Sequence, residues 1–375
     1  MPEAIGPLTE LVQRAILAND LTHSFIWDFM TAPSDRLREN LVHLDGNYLV
    51  AGGSGKMGPE LGAMIARADS EQDVVVSARF SKGRPSQLNQ YGNVVLSQAD
   101  FLRPEELAAM PTAPHIVYMV GRKFDITKRD DLLTAHQLNV ILPERFARRH
   151  SKSDRIVVFS SGNPYEKTYF DAGGSRENDP LGPTFPYGFG VLGREMSFES
   201  VARETGTRLS FNRLMYSQHF CYGVIVDLAR KVQKNEEIYL AKAPFINLIW
   251  QNDANESAID QLLTASSSSS GKGTAPGIQL HPENEKYATI MNVAGPCVEV
   301  RYIVEKLGEV IGLTFRIVDT DNQHSLLAND SRYRDHFLPD KKYRFAVDDM
   351  ITAVGLWVKN HGENWNIPTH FGEKM

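Results

Sequence analysis

At about Asn47 the spacing of hydrophobic residues changes from helical intervals to short runs that alternate with helical stretches. Before this point the apolar positions recur at helical intervals, which predicts amphipathic helices. The first apolar stripe consists of Leu8, Leu11, Val12, Ala15 and Ile16, and the second of Phe25, Ile26, Phe29 and Met30. We therefore predict that residues 1–46 form a helical extension that packs on the main domain or on a neighbouring subunit.

From Asn47 onward, short apolar runs alternate with helical stretches. The predicted strands are Tyr48–Ala51, Asp73–Ser77, Asn93–Leu96, His115–Met119, Arg155–Ser160 and Arg208–Asn212. The predicted helices between them are Met57–Ala68, Pro104–Ala109, Leu132–Arg149 and Gly190–Glu204. Strands that alternate with helices are typical of a parallel sheet covered on both faces. The sequence thus predicts an α/β fold with a doubly wound, Rossmann-type sheet over residues 47–213.

After residue 213 the pattern becomes less regular. Ser266–Ser270, followed by several glycines, predicts a surface loop, because such a segment buries little apolar area. Order returns with a strand at Thr289–Val293, a helix at Arg301–Ile311 and a last amphipathic helix around Val347–Val358. We assign residues 214–375 to a smaller C-terminal α/β region, with segments near 245–265 and 289–293 returning to the first domain.

Composition excludes several functional classes. The 375 residues have a net charge of −6, with 40 Lys+Arg and 46 Asp+Glu, so neither nucleic acid nor an acidic membrane surface is an expected partner. No apolar run is long enough to cross a bilayer, and the N-terminus resembles no secretory signal. Two cysteines make neither a disulfide framework nor a four-cysteine zinc site, and the histidines His23, His136, His150 and His281 show no metal-ligand spacing. We expect a cytoplasmic protein without a metal.

The strongest local motif is a glycine turn at the end of the first predicted strand. Gly52, Gly55 and Gly58 are three residues apart and lead into a helix. Glycines allow a diphosphate to approach the amides at a helix N-terminus. A P-loop would instead need glycine at Val50 and a hydroxyl residue at Met57. We therefore predict a dinucleotide coenzyme here; a turn without a ligand remains the alternative. The residues expected to contact it are Gly52, Ser54, Gly55, Lys56, Met57 and Gly58.

The end of the second predicted strand bears on the choice of coenzyme. An acidic residue at this point usually binds the ribose 2′-hydroxyl of NAD, and none is present. Arg79 and Lys82 can pair with a 2′-phosphate, and Ser81 can donate a hydrogen bond to it. The sequence favours NADP, with NAD possible. The alternative is that both cations are solvated charges on a loop.

Several segments together resemble the extended short-chain dehydrogenase/reductases, which include nucleotide-sugar epimerases and dehydratases. The resemblance spans about residues 47–360. The matching segments are the glycine turn, Asp100-Phe101, Asn139, Ser160-Ser161-Gly162, Tyr187 and Asn292-Val293-Ala294-Gly295. The resemblance implies that Asp100 and Phe101 contact adenine, that Ser161 is the catalytic hydroxyl and that Tyr187 is the catalytic tyrosine. It also implies that the C-terminal region binds the substrate.

The chain departs from this family at one important position. The family motif is Tyr-x-x-x-Lys, but the fourth residue after Tyr187 is Val191. Free tyrosine has a pKa near 10, and the motif lysine normally lowers it. An atypical branch, the progesterone reductase and iridoid synthase group, also lacks this lysine and places another one after the fourth strand. The chain is similar to that branch at Gly121, Lys123 and Arg79 and departs from it at Val120 and Phe124.

This similarity makes Lys123 our candidate for the missing cation. The same loop holds Gly121, which we expect to contact the coenzyme. The alternative is that Lys123 binds a coenzyme phosphate or is simply solvated. Arg122 is a weaker candidate, because its guanidinium stays protonated and cannot relay protons.

The resemblance implies an NAD(P)-dependent oxidoreductase, epimerase or dehydratase that transfers hydride to or from a small sugar-like or carbonyl substrate. It also implies a homodimer formed through the helices Leu132–Arg149 and Gly190–Glu204. The missing lysine leaves a second hypothesis open, namely a protein that binds NADP(H) without catalysis and acts as a sensor or an assembly partner.

Overall fold

A computed structural model describes residues 5–123, 128–241, 243–265 and 287–365. Its strands are β1 Tyr48–Ala51, β2 Val74–Ala78, β3 Val94–Gln98, β4 His115–Tyr118, β5 Arg155–Phe159, β6 Thr168–Tyr169, β7 Arg208–Leu214, β8 Tyr216–Gln218, β9 Glu237–Tyr239, β10 Phe245–Trp250, β11 Thr289–Val293, β12 Cys297–Glu299, β13 Arg316–Val318 and β14 His324–Ser325. Its α-helices are α1 Pro7–Leu17, α2 His23–Met30, α3 Asp35–Leu41, α4 Gly58–Ala68, α5 Pro104–Ala109, α6 Arg129–His136, α7 Leu142–Arg149, α8 Pro186–Thr205, α9 Val224–Gln233, α10 Gln251–Thr264, α11 Val300–Ile311, α12 Ser331–Phe337 and α13 Val347–Lys359.

The central sheet has seven parallel strands in the order β11-β7-β5-β4-β1-β2-β3. Every residue of β1, β2 and β4 is buried, as expected for strands covered on both faces. In the register, Val50 lies opposite Val76 on one side and Val117 on the other. The strand order reverses between β1 and β4, where α/β sheets of this kind open a crevice for ligands. The predicted doubly wound sheet is confirmed.

Two hydrophobic cores cover the two faces of this sheet. On one face, α4 and α10 pack Leu61 and Leu262 against Val50 and Val76. On the other face, α5, α7 and α8 cover the sheet, and their apolar residues include Leu107, Phe146 and Phe198. The long predicted helix 132–149 is interrupted by a π-helical turn at Gln137–Ile141. Helix α8 begins four residues earlier than predicted, because Pro186 suits the first turn of a helix.

The sequence pattern gave no indication of helix α10. All 14 of its residues are buried although most of them are polar. Several of their side chains have polar partners, such as Ser257 with Asn212 at 2.9 Å and Gln261 with Ser210 at 3.0 Å. Ala254, Ala258 and Leu262 follow one face, but polar residues outnumber them, so the helix escapes periodicity analysis, which looks for one apolar and one polar face.

The C-terminal region forms a third core around α9, α11 and α13, and helix α1 of the N-terminal extension packs into it. A three-stranded sheet in the order β12-β10-β8 flanks this core, and β9 pairs with β13. Residues 245–250 thus lie in this smaller sheet, whereas α10 packs on the central one. The predicted serine- and glycine-rich loop at 266–277 lies outside the described residues.

The N-terminal extension joins both halves of its own chain. The Asp349 carboxylate of α13 accepts hydrogen bonds from the amides of Leu8 and Thr9, both at 2.9 Å, and so caps the start of α1. At the other end of the extension, Arg36 of α3 forms ion pairs with Glu256 and Asp260 of α10. Helix α3 has only seven residues and was absent from the predicted elements. In the part of the chain that the structure describes, no helix is long and apolar enough to span a membrane.

Candidate coenzyme and catalytic site

The glycine turn follows β1 directly and is held by backbone contacts. Gly52 has a φ of +85°, and its amide and that of Gly53 donate to the Ser77 carbonyl oxygen at 2.9 and 3.1 Å. A Cβ on Gly52 would lie 2.9 Å from the Val120 nitrogen, and one on Gly58 would lie 2.6 Å from the Gly53 Cα. Neither site has room for a side chain. The turn is therefore a tight passage from β1 into the N-terminus of α4, the place where a diphosphate binds in dinucleotide-binding folds.

A cavity of about 240 Å³ opens beside this turn, at the carboxyl ends of β1, β2 and β4. Seven residues that we predicted to bind the coenzyme line it: Gly52, Ser54, Gly55, Arg79, Asp100, Phe101 and Gly121. The remaining lining residues are Ala78, Ala99, Met119, Val120 and Leu138. The structure thus brings together segments that are up to 86 positions apart in the sequence (52 to 138).

Five other predicted coenzyme residues do not line this cavity. Met57 and Gly58 form the start of α4, behind the turn. Ser81 and Lys82 lie on the exposed loop after β2. The Lys56 side chain extends in another direction, and its ammonium lies 4.8 Å from the centre of the Tyr222 ring. Their predicted contacts with a coenzyme stay predictions.

Of the two basic residues Arg79 and Lys82, Arg79 lines the cavity and Lys82 does not. Among the described residues, no carboxylate forms an ion pair with it, and its side chain is exposed. The neighbouring Phe80 has a φ of +49° and turns the chain away at this point. Arg79 is thus free to pair with an anion bound in the cavity.

Tyr187 and Lys123 meet at the loop after β4, next to the cavity residue Gly121; the cavity and this pair together are called the crevice below. Tyr187 is the second residue of α8, and the Lys123 ammonium lies 5.8 Å from the centre of its ring. Lys123 comes from the loop after β4, two residues beyond the cavity residue Gly121. The sequence-based hypothesis that Lys123 stands close to Tyr187 therefore agrees with the geometry of these two side chains.

The two serines after β5 have different environments. Ser160 is buried, and its hydroxyl donates a short hydrogen bond to the Glu195 carboxylate. Ser161 is half-buried, and its Oγ accepts a hydrogen bond of 2.7 Å from the Asn163 amide group. The Ser161 hydroxyl hydrogen is therefore available for another acceptor, in agreement with the choice of Ser161 as the candidate catalytic hydroxyl.

Lys56 and Lys123 approach each other from two different loops. Burial and the neighbouring Lys123 ammonium lower the pKa of Lys56 to about 8, while Asp227 acts in the opposite direction. Perturbed titratable groups in a crevice are typical of functional sites. The sequence gave no sign of this proximity, because positions 56 and 123 come together only through the parallel order of β1 and β4.

A network of buried charges supports the tyrosine end of the crevice. Arg213 binds Glu195 through two hydrogen bonds of 3.0 and 2.7 Å and also donates to the Tyr165 hydroxyl at 2.7 Å. The Tyr165 hydroxyl in turn donates to the Asn292 side-chain oxygen at 2.8 Å. Arg213 thus has a structural pairing within the protein. This network links β7, α8 and β11 beneath the site.

A second buried cluster lies behind the turn helix α4. The His23 and His219 Nε2 atoms lie 2.8 and 3.1 Å from the same oxygen of Glu60, and Gln251 donates to its other oxygen. Burial raises the pKa of the Glu60 carboxyl, but the two histidines outweigh this effect and lower it to about 2. These three groups are close enough to one another to hold a metal ion, which the sequence spacing did not indicate.

The hydrogen bonds of the His219 ring favour a hydrogen bond to Glu60 over a metal ion at this cluster. The Cys221 backbone N–H donates to His219 Nδ1 at 2.9 Å, so the neutral ring carries its proton on Nε2, facing Glu60. A metal ligand needs the lone pair on that nitrogen instead. We therefore interpret the cluster as a structural contact between the N-terminal extension, α4 and the segment before α9.

A larger cavity of about 550 Å³ lies in the C-terminal region. Its lining includes Asn247, Gly295 and Cys297 and four basic residues, Arg334, Lys341, Lys342 and Arg344. Arg334 pairs with Asp330, and Arg344 pairs with Asp253 and Glu256. The cavity is large enough for a small substrate and lies in the region that the family resemblance assigns to substrate binding.

Comparisons with known proteins identify the fold. No protein-family model matches this chain, and neither does any curated protein sequence. Among solved structures, UDP-glucose 4-epimerase of Thermotoga maritima with UDP-glucose shares 15% identity over 84% of this chain and 99% of its own, with a TM-score of 0.63. The Bordetella bronchiseptica enzyme WbmG in complex with NAD and UDP shares 16% identity over 85% and 96%, with a TM-score of 0.65.

A third similar structure is the dTDP-glucose 4,6-dehydratase of Bacillus anthracis in complex with NAD. It shares 13% identity over 84% of this chain and 96% of its own, with a TM-score of 0.64. Identities this low establish the fold and nothing finer. The fold is that of these epimerase and dehydratase structures, which agrees with the fold expected from the sequence motifs.

Proposed function

We propose that this chain is an NAD(P)-dependent oxidoreductase or epimerase/dehydratase that acts on a small sugar-like or carbonyl substrate. The observation that carries the proposal is that the loop after β4 serves both parts of the site: its Gly121 lines one cavity with the glycine turn and Arg79, and two residues further on the Lys123 ammonium lies 5.8 Å from the centre of the Tyr187 ring. Solved structures of this fold in complex with NAD support the same coenzyme class.

The residues of the crevice fit a nicotinamide dinucleotide. The N-terminus of α4 after this tight turn suits the diphosphate, and a side chain at Gly52 or Gly58 would close the turn. Asp100 and Phe101 would border the adenine end, and Gly121 the middle of the crevice. When bound, the coenzyme supplies or accepts the hydride.

The protein's own residues would handle the proton. Tyr187 would give a proton to the substrate oxygen when a carbonyl is reduced and would remove it in the reverse direction. Ser161 would donate its free hydroxyl hydrogen to the same oxygen and orient it. Lys123 would favour the ionised phenol through its positive charge.

Turnover tests this assignment of Tyr187. Purified protein with NADPH or NADH would be offered a panel of aldehydes, ketones and sugars, with coenzyme absorbance and product stereochemistry as readouts. Tyr187→Phe should lower kcat by ~10²–10⁴ with little effect on thermal stability, because the ring remains and only the hydroxyl is lost. Coenzyme binding without turnover on the whole panel would favour the non-catalytic NADP(H)-binding hypothesis instead.

We further propose a preference for NADPH over NADH. Arg79 borders the cavity without a carboxylate partner among the described residues, and a charged hydrogen bond to a 2′-phosphate contributes about 1.5–3 kcal/mol. Calorimetry should therefore show that Arg79→Ala weakens NADPH binding by about tenfold or more and leaves NADH binding unchanged. Equal affinity of the unmodified protein for both coenzymes would contradict the preference.

A homodimer formed through the two helical segments predicted from the family resemblance is also proposed. Large apolar side chains are exposed on them, Leu133 and Ile141 on the first and Met196, 63% exposed, on the second; Phe189 on α8 adjoins the second segment and is also exposed. A second copy of this chain would cover this surface. Light scattering should give twice the 42.0 kDa chain mass, and Met196→Glu should shift the protein toward the monomer. A monomer at all concentrations would contradict the proposal.

A further inference from the structure

Arg194 is a buried cation three residues after Val191, the position where the family motif has its lysine. Its side chain is 4% exposed, and among the described residues no carboxylate forms an ion pair with it. Tyr187, Val191 and Arg194 follow one face of α8 at intervals of four and three residues. Side chains on a helix lean toward its N-terminus, so the Arg194 guanidinium reaches back toward the level of Val191. A buried, unpaired charge is costly, so its surroundings should show what offsets the cost.

The Arg194 guanidinium contacts the end of β5, the π-helical turn and the loop after β4. Nη1 donates to the Phe159 carbonyl oxygen at the end of β5, and Nη2 donates to the Asn139 side-chain oxygen, both at 2.8 Å. A Cβ on Gly121 would overlap the guanidinium, so the loop after β4 passes directly over it. Its Nε has no hydrogen-bond partner in the structure.

Asn139 connects this guanidinium to the loop that holds Lys123. Its side-chain oxygen also accepts from the Arg122 amide at 2.9 Å, and its side-chain nitrogen donates to the Arg122 carbonyl at 2.8 Å. Asn139 lies in the π-helical turn between α6 and α7, a feature that is frequent at functional sites. The backbone immediately before Lys123 is thus fixed on both sides.

We propose that Arg194 is a positioning residue, whose buried guanidinium, together with Asn139, fixes the segment 121–123 and so keeps the Lys123 ammonium beside Tyr187. The inference rests on the Tyr187–Lys123 pair of the proposed function. Lys123 is exposed and has a long side chain, so a loosely held loop would let its ammonium move into solvent. In this chain Lys123 therefore carries the positive charge beside Tyr187, and Arg194 holds Lys123 in place.

The test measures the ionisation of the Tyr187 phenol by NMR of protein with isotopically labelled tyrosine, assigned with Tyr187→Phe. Arg194→Gln and Asn139→Ala should each lower the ionised fraction of Tyr187 at a given pH by about threefold or more. Lys123→Met should do the same, and Arg194→Gln combined with Lys123→Met should add little, because both act on one contact. Arg203→Gln, at an exposed arginine of the same helix, is the control and should leave the titration unchanged.

Asn139→Ala keeps the Arg194 charge, so it tests the link even if Arg194→Gln is too unstable to fold. A lower melting temperature with an unchanged Tyr187 titration in both variants would overturn the inference and leave Arg194 a structural residue. An unchanged titration in Lys123→Met would instead overturn the role of Lys123 in the proposed function. The two failures are therefore distinguishable.

Discussion

The two ends of the crevice, the glycine turn and the region of Tyr187, are formed by different kinds of chemical groups. At the glycine turn, the chain passes close to Val120 and to its own backbone, and the requirement on the sequence is the absence of side chains at Gly52 and Gly58. At the tyrosine end, the Lys123 ammonium lies beside the Tyr187 ring, and the buried Arg213–Glu195 ion pair joins β7 to α8, the helix that holds Tyr187. The glycine turn depends on the absence of side chains, and the tyrosine end depends on paired charges. Substitutions at the two ends should therefore have different effects on binding and on stability.

The largest effect is expected from the buried network at the tyrosine end. Arg213→Met leaves the Glu195 carboxylate buried without its partner, which should lower the free energy of unfolding by about 3–5 kcal/mol. Urea unfolding monitored by circular dichroism would measure this loss. Arg213→Met combined with Glu195→Met should recover part of it, because no unpaired charge remains. A loss below ~1 kcal/mol in the single variant would contradict the charge-based description.

The next effect tests whether the turn helix also depends on charge. Glu60 has a pKa near 2 in the folded protein against an ordinary value of 4.5, so its ionised form stabilises the fold above about pH 4.5. This contribution should disappear as the pH falls from about 4.5 to about 2, and its full size is ~3 kcal/mol. Acid unfolding of Glu60→Gln should lack this step, whereas Glu71→Gln, at an exposed site, should keep it. If the unmodified protein, Glu60→Gln and Glu71→Gln lost stability equally as the pH falls, the Glu60 charge would not stabilise the packing of α4.

A smaller effect is expected where shape alone matters. Gly52→Val introduces a side chain against Val120 and should weaken coenzyme binding by about tenfold or more, equivalent to ~1.4 kcal/mol. Gly83→Val is the matched control, because Gly83 also has a positive φ, +96°, but open space around it. Calorimetry should show normal coenzyme binding in the control. Equal losses in both variants would mean that backbone strain and not the blocked turn is responsible.

The smallest effect concerns the loop after β2. Lys82 is exposed and does not line the cavity, so Lys82→Ala should change NADPH affinity by less than about twofold. Arg79→Ala is the comparison, with its larger expected loss. If Lys82→Ala weakened binding as much as Arg79→Ala, the loop would have to close over the coenzyme, and the sequence-based expectation for Lys82 would hold.

The difference between the two ends also explains what the sequence could predict. The glycine turn is local: its three glycines, the strand before it and the helix after it occupy about twenty consecutive residues, and the predicted β1 matches the structure residue for residue. Tyr187 and Lys123 could be proposed only through resemblance to a family. Their contact depends on how β4 and α8 are placed, which spacing alone does not contain.

Arg194 and helix α10 remained invisible in the sequence for the same physical reason. An arginine in a helix is normally a solvated residue, and only the folded chain shows that Arg194 lies under Gly121 and beside Asn139. The polar sequence of α10 likewise resembles an exposed segment, although its partners lie on β5, β7 and α3. Buried polar groups are specified by partners distant in sequence, so no local pattern indicates them.

The Asp349 cap on helix α1 has a consequence for how the protein is made. Leu8 and Asp349 are separated by 341 positions, so α1 has to wait until α13 has been synthesised before its amides and its apolar face are covered. Until then this amphipathic segment is available to chaperones or to other nascent chains. Shortened or C-terminally trimmed versions should therefore aggregate during expression, even when they retain every residue of the crevice.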